Sequence, residues 1–303
     1  PYDASPQHPV YVTAADGTQY VITQNTAANT NARSRALGLA PSGYQLFAND
    51  AWSNYNSLQV TLRKNVSANF FVLGSCTYSK ATDATSSGNT AFNTALNDQT
   101  SLLDSRGLSD FDRTHRLVVS YNYDLPFFRA ATGARKWLLA NWTVSGVSTF
   151  ESGTPFSIYD SAGGTAFAPS SPNQSTAVWA PGATLASGAT SGSVESRLTH
   201  YVNINAFTTA PVIGPDGSTG YGNVGRNLYR GPFVQNWDFT LGKRFPITER
   251  QAVTFRADFF NLFNHPNFSS PSTTDVQNPA TFGTITTTEG TPRLIQFVLR
   301  YSF

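Results

Sequence analysis

The sequence predicts an all-β fold, an antiparallel up-and-down transmembrane β-barrel portion of about seven long strands, and three observations predict it. First, charged residues are only 13% of the 303 residues while mean hydropathy is −0.26. Soluble domains carry roughly 25% charge, so here the apolar residues must be interleaved with uncharged polar ones. Second, apolar residues recur with period two over segments of about ten residues, the length a tilted strand needs to cross hydrocarbon. No run approaches the roughly 18 apolar residues of a membrane-spanning helix. Third, short connections alternate with long Gly/Ser/Asn/Thr-rich ones, the pattern of periplasmic turns and extracellular loops.

Residues 1–54 read as an extracellular loop segment with a small hairpin, "YVTAADGTQYVI", whose Ala15, Asp16 and Gly17 have turn chemistry. The barrel portion is expected over 55–303. Its first strand is "NSLQVTLRKN", with Leu58, Val60 and Leu62 on one face. After "NVSAN" comes "FFVLGSCTYS", and then a polar loop from Lys80 to Asp112. "HRLVVSYNYDL" places Leu117, Val119, Tyr121, Tyr123 and Leu125 on one face. The short connection "PFFRAATGARK" leads to a strand starting near Leu138 and containing "NWTVSGVSTFES", followed by the longest loop, Gly153 to Val234. Trp237, Phe239 and Leu241 alternate with Asp238, Thr240 and Gly242. Beyond "PITERQ", Val253, Phe255, Ala257 and Phe259 alternate with Thr254, Arg256 and Asp258. A loop from Asn264 to Thr291 precedes the closing strand "RLIQFVLRYSF". All six neighbouring pairs are expected to be antiparallel, with the first and last strands left as open edges.

Alternating strands also build soluble sandwiches, and three features favour the barrel. Aromatics (Tyr121, Tyr123, Trp137, Trp142, Phe150, Trp237, Phe245) mark the strand ends as interfacial girdles do. The opposite face is polar and even charged, which a wet lumen tolerates and a sandwich core does not. Basic residues (Arg63, Lys64, Arg129, Arg135, Lys136, Lys243, Arg244, Arg250) gather at the short turns against Glu249 alone. Their readings are snorkelling toward lipid phosphates or plain solvation.

A net charge of +2 favours no nucleic-acid partner, and the single Cys76 excludes an internal disulfide framework. The start "PYDASPQHPV" has neither a basic nor an apolar leader region and reads as the interior of a longer protein. The four histidines, His8, His115, His200 and His265, show no metal-ligand spacing, so "DRTHR" (Asp112 to Arg116) reads as neither catalytic nor metal-binding. "GYGNVG" lacks the context of a phosphate loop, and no nucleophile and base pair up. No catalytic residue, metal or cofactor is expected. "FNLFNHPNF" reads as a turn that Asn264 or Asn267 caps.

Several stretches in order, "NYNSLQVTLRKNVSANFFVLGSCTYSKATD", "DFDRTHRLVVSYNYDLPF", "NWTVSGVSTFESGTPFSIYD", "GNVGRNLYRGPFVQNWDFTLGKRF" and "FRADFFNLFNHPNF", followed by "PRLIQFVLRYSF", resemble the carboxy-terminal barrel region of TonB-dependent outer-membrane receptors, closest to the Oar-like subfamily with its carboxypeptidase-regulatory-like domain. The resemblance runs from about Tyr55 to Phe303. It implies residence in a Gram-negative outer membrane and a receptor that binds a scarce solute and imports it with TonB-coupled energy through a plug upstream. The partners it implies are outer-membrane lipid, the assembly machinery and the TonB complex. It makes "DRTHR" a rim feature holding loop to barrel. It puts Phe297, Leu299, Tyr301 and Phe303 on the lipid face as the strand that the assembly machinery reads. The other function class is a passive porin-like or adhesive barrel.

Two groups of candidate site residues complete the reading. If "PITERQ" is a tight turn, Arg256 falls opposite Thr240 and diagonal to Asp238, so that Asp238, Arg256 and Asp258 form one polar network on the inner face. In the longest loop, Trp179, Tyr201 and Tyr221, with Phe156 and Tyr159, are able to stack on a polar solute, or else pack against the rim.

Overall fold

The computed structural model describes residues 11–13, 17, 19–21, 26, 51–86, 97, 105–166 and 175–303. In chain order the strands are β1 (Tyr11–Thr13), β2 (Gln19–Val21), β3 (Ser53–Ser67), β4 (Phe70–Asp83), β5 (Gly107–Leu108), β6 (His115–Asp124), β7 (Trp142–Glu151), β8 (Pro155–Phe156), β9 (Val178–Trp179), β10 (Phe207–Thr208), β11 (Tyr229–Arg230), β12 (Val234–Pro246), β13 (Ala252–Phe260), β14 (Asn267–Phe268), β15 (Thr288–Glu289) and β16 (Leu294–Ser302). The helix α1 (Gly133–Leu139) lies between β6 and β7. No described helix is long and apolar enough to cross a membrane.

Seven of these strands form one antiparallel meander in the order β16-β13-β12-β7-β6-β4-β3, with β5 paired to the tip of β4. Each long strand is hydrogen-bonded to its sequence neighbour, as the alternation of short and long connections predicts. Among the described residues β3 and β16 do not pair with each other, so the sheet is open at both edges. The early hairpin forms too, with Tyr11 opposite Val21 and Gly17 at a φ of 83°; the rest of 1–50, apart from position 26, lies outside the described residues.

Register decides how the separate alternations combine. Following the pairs Lys64↔Val72, Val72↔Tyr121, Tyr121↔Gly146, Gly146↔Phe239, Phe239↔Phe259 and Phe259↔Ile295 across the sheet puts them all on one face. That face collects Leu58, Val60, Leu62, Leu117, Val119, Leu241, Phe255, Phe297, Leu299 and Tyr301, because successive side chains alternate. Leu62, Phe297 and Leu299 are 63%, 68% and 74% exposed, the state expected of side chains that meet lipid. The other face carries Thr61, Ser75, Ser120, Asn122, Ser145, Thr149, Asp238, Thr240, Thr254, Arg256, Asp258 and Gln296.

Aromatic pairs form a band at each end of the apolar face, with the pairs Phe239–Phe259 and Phe255–Phe297 between them. At the short-turn end Phe70 meets Tyr123 at 5.1 Å and Trp137 meets Phe245 at 4.8 Å. At the long-loop end Trp237 packs edge-on against both Phe150 (5.1 Å) and Phe263 (5.8 Å). Trp237 and Phe245 lie about 26 Å apart along β12 at roughly 3.3 Å per residue, a span suited to a hydrocarbon belt about 25 Å tall.

The short-turn end departs from expectation in two places. Leu138 belongs to α1 and not to a strand, and β7 begins at Trp142. Gly133, at a φ of 59°, is the residue type that reverses the chain into the helix there without penalty. Lys243 does not snorkel: its side chain is 2% exposed, donates to the carbonyl of Ala140 just past α1, and lies 5.3 and 5.1 Å from the rings of Trp142 and Phe245. An ammonium on the apolar face is held there by a helix-terminal carbonyl and two aromatic rings.

Candidate functional site

The long-loop end is a built structure. β3 and β4 run 15 and 14 residues, beyond the ten or so that hydrocarbon requires, and their tips rise into the loops. There the segment between β7 and β12 folds back with the one between β13 and β16 around its own apolar core: Ile158, Ala177, Val202, Ala206, Phe207, Val224, Tyr229 and Phe282. Phe207 is its centre, 5.2 Å from Trp179, 5.9 Å edge-on to Tyr229 and 6.0 Å from Phe282. Asp160, buried, joins the two segments by accepting from the backbone N–H of Ala210 (2.6 Å) and from Gln277 Nε2 (2.7 Å).

Two ion pairs, one buried and one with a half-buried arginine, clamp this cap to the sheet. Arg226 bonds Asp83 at the tip of β4, and donates to the carbonyls of Asp83 (3.1 Å) and Ser105 (2.9 Å). Burial pushes its guanidinium pKa down from the usual arginine value. Beside it, Asn227 holds a φ of 56° and donates to Asp110 Oδ1 at 2.6 Å. Arg230 bonds Asp112, whose side chain is fully buried and also accepts from the Ala81 N–H at 2.5 Å.

The rest of "DRTHR" makes rim contacts. Arg113 donates to the Ser152 carbonyl at 2.7 Å, His115 packs on Tyr78 at 5.1 Å, and Arg116 pairs with Glu151 at 2.7 Å. Composition drew attention to the Asp and His of this motif; the arginine that Asp112 serves, Arg230, and its neighbour Arg226, which Asp83 serves, lie more than 100 residues downstream in "GRNLYRG". Two arginines four residues apart in a chain so poor in charge are the signal that could have found them.

The glycines around that stretch permit close backbone approach. A Cβ on Gly222 would lie 1.8 Å from the Thr176 carbonyl oxygen, and one on Gly153 1.9 Å from that of Gly231. The turn in "FNLFNHPNF" is organised by Asn261, which sequence reading passed over: at a φ of 50° it accepts from the His265 N–H (2.9 Å) and donates to the carbonyls of His265 and Thr291. Asn264 accepts from the Arg293 N–H, and Asn267 bonds both backbone groups of Gln235.

The expected lumen network changes in membership. Arg256 stands opposite Gly242, and it is Asp258 that faces Thr240, a shift of two residues from the register expected for "PITERQ". The turn is longer than a two-residue hairpin, with the N–H groups of Ile247 and Thr248 both bonded to the Gln251 carbonyl. Arg256 therefore meets its own-strand neighbour Asp258 at 2.9 Å, and Asp258 accepts from Thr240 at 2.7 Å. Asp238 shares their face but not their contacts; it accepts from Asn236 (2.9 Å) and from the Asn261 N–H (3.0 Å), tying β12 to the loop beyond β13.

The loop aromatics also find other work. Trp179 and Tyr201 pack against the cap core, Tyr201 beneath the Arg197 guanidinium at 4.6 Å, and Tyr221 lies against Gly164. A cleft of about 480 Å³ beside the clamp is lined by Tyr78, Lys80, Arg106, Arg226, Asn227 and Arg230.

The meander with one apolar face and two aromatic bands agrees with the comparison to known families. A family model described as outer membrane beta barrel domain matches residues 4–296. The chain belongs to this family. Neither curated proteins nor solved structures give a match. As an outer membrane beta barrel domain, the chain resides in the outer membrane, its apolar face turned to lipid and its cap standing at the extracellular rim.

Burial also sets a pH dependence for the barrel domain's cap. Desolvation raises the Tyr229 phenol from 10.0 to about 12, with its hydroxyl donating to the Leu185 carbonyl at 3.1 Å. Tyr159 and Tyr201 are shifted upward for the same reason. An unfolded cap would release the Tyr229 proton near pH 10 while the folded cap keeps it. Stability is therefore unaffected below pH 10 and declines between pH 10 and about 12, by on the order of 2–3 kcal/mol from this residue. Tyrosine absorbance titration of the protein and its Tyr229→Phe variant, followed alongside protease resistance of the cap, measures this. The variant should lose that part of the alkaline decline.

Proposed function

We propose that the barrel domain is the carboxy-terminal wall and cap of a TonB-dependent receptor of the Oar-like kind, which takes up a scarce solute at the cell surface by binding and energised passage, without catalysis. The observation that carries this reading is the cap. A passive channel has no need of a pinned, apolar-cored structure over its extracellular end, whereas a receptor needs a fixed surface on which a dilute solute is held. The open edges at β3 and β16 support the same reading, since unpaired backbone is not tolerated in lipid and further strands would close the barrel. The exposed row Phe297, Leu299 and Tyr301 on β16 suits recognition by the outer-membrane assembly machinery, and no nucleic-acid partner is proposed.

With Trp179 and Tyr201 engaged in the core, the solute surface is assigned to the outer side of the cap and the cleft beside Lys80 and Arg106. Excising 162–186, which carries Ala177 and Trp179, should collapse the cap as well as abolish uptake. The test that separates the two function classes is electrical. The full-length protein in a planar bilayer should pass no steady current until denaturant displaces its plug. A steady open conductance in the untreated protein would replace the receptor with a passive pore.

A further inference from the structure

We infer that the connection between β6 and β7, residues 125–141, is an interfacial anchor that lies among the headgroups of the periplasmic leaflet and prefers anionic phospholipid. Phe127, Phe128, Trp137 and Leu138 are each more than half exposed, and no residue of α1 is buried. In water such a cluster would be a liability. The same 17 residues carry Arg129, Arg135 and Lys136 and no Asp or Glu, a pairing of large apolar groups with cations that suits the boundary between acyl chains and phosphates.

Its position supplies the independent argument. Trp137 packs against Phe245 with the rings tilted, and Lys243 reaches from the apolar face to the Ala140 carbonyl, so α1 is continuous with the lipid-facing belt and does not sit under the lumen. Arg129 donates to Asn69 Oδ1 in the β3–β4 turn at 3.1 Å, and the Arg244 N–H donates to the Asn141 carbonyl. The connection thereby braces the β3–β4 turn on one side and the end of β12 on the other. The acids nearest it in sequence at this end are Asp124, which accepts from Thr143 at 2.8 Å, and Glu249 on a separate turn.

The experiment reconstitutes the full-length protein in vesicles containing lipid brominated on either phosphatidylglycerol or phosphatidylethanolamine. Subtracting the fluorescence of a Trp137→Phe variant isolates the Trp137 emission. The expected result is stronger quenching by the brominated phosphatidylglycerol, and about a tenfold or greater loss of that preference in the triple variant Arg129→Gln, Arg135→Gln, Lys136→Gln. Equal quenching by both lipids would overturn the anionic preference; quenching by aqueous iodide alone would place α1 in periplasmic water and overturn the anchor. If Trp137→Phe fails to assemble, a fluorophore on Leu138→Cys in a Cys76→Ser background gives the same readout.

Discussion

Replacing Arg226 by alanine is expected to destabilise the extracellular cap by about 3–5 kcal/mol, the cost of removing one partner of a buried ion pair. Arg226 and Asp83 side chains are 6% and 4% exposed. Without the guanidinium the Asp83 carboxylate keeps a hydrogen bond from Ser86 at 2.8 Å but loses its countercharge, and the carbonyls of Asp83 and Ser105 lose a donor. The damage should spread, because Arg226 sits between Gly225 and Asn227 in the segment that returns the chain to β11 and β12. Limited proteolysis on intact cells should cut the variant within 175–230 at protease levels that leave the parent whole. Membrane insertion, read from the heat-dependent gel mobility of the barrel, should be retained, since the strands do not depend on the clamp. The double variant Asp83→Ala, Arg226→Met should recover most of the loss, because it leaves no charge buried alone. If Arg226→Ala is as resistant as the parent, the clamp contributes nothing to the cap.

The second large effect is expected at a glycine. Gly222→Ala would place a methyl group 1.8 Å from the Thr176 carbonyl oxygen and 2.4 Å from that of Ala177. Both are backbone atoms, and the Asn223 and Val224 N–H groups are bonded to that same Ala177 carbonyl at 3.0 and 2.9 Å, so the two segments cannot separate without losing those bonds. A loss on the order of 3–5 kcal/mol is expected, among the largest single-residue effects. Gly74→Ala is the control: Gly74 lies mid-strand on the apolar face with nothing within 4 Å of the added atom, and there the change should be neutral or stabilising by about 0.4–1 kcal/mol. Thermal shift of the detergent-solubilised protein compares the two. Equal midpoints would mean that the backbone approach at Gly222 relaxes freely.

Most of the membrane-facing architecture was legible in the residues, because a strand displays its environment with period two. Leu58, Val60 and Leu62 declare a face without reference to any other strand, as do Val253, Phe255, Ala257 and Phe259, and uneven connection lengths order the strands. What period two cannot supply is the pairing offset between strands. The turn after Pro246 holds more residues in its backbone bonds than a minimal hairpin, and this moves Arg256 from Thr240 to Gly242 and separates it from Asp238. Nor does alternation read a loop. The cap has no periodicity, and its core joins Ile158, Val202 and Phe282, which are neighbours only once two loops have folded together. A serine- and glycine-rich segment with scattered aromatics looks like a solute surface until Phe207 is seen to gather Trp179 and Tyr229. The clamps were hidden for the same reason: an arginine's partner, unlike a strand's face, is set by contacts across 118 and 143 residues of sequence. The sequence by itself therefore determined that this chain is a wall of strands with one side in lipid, because local alternation suffices to say so. Only the tertiary structure decided that the wall carries a folded, charge-pinned cap, because long-range packing leaves no local signature.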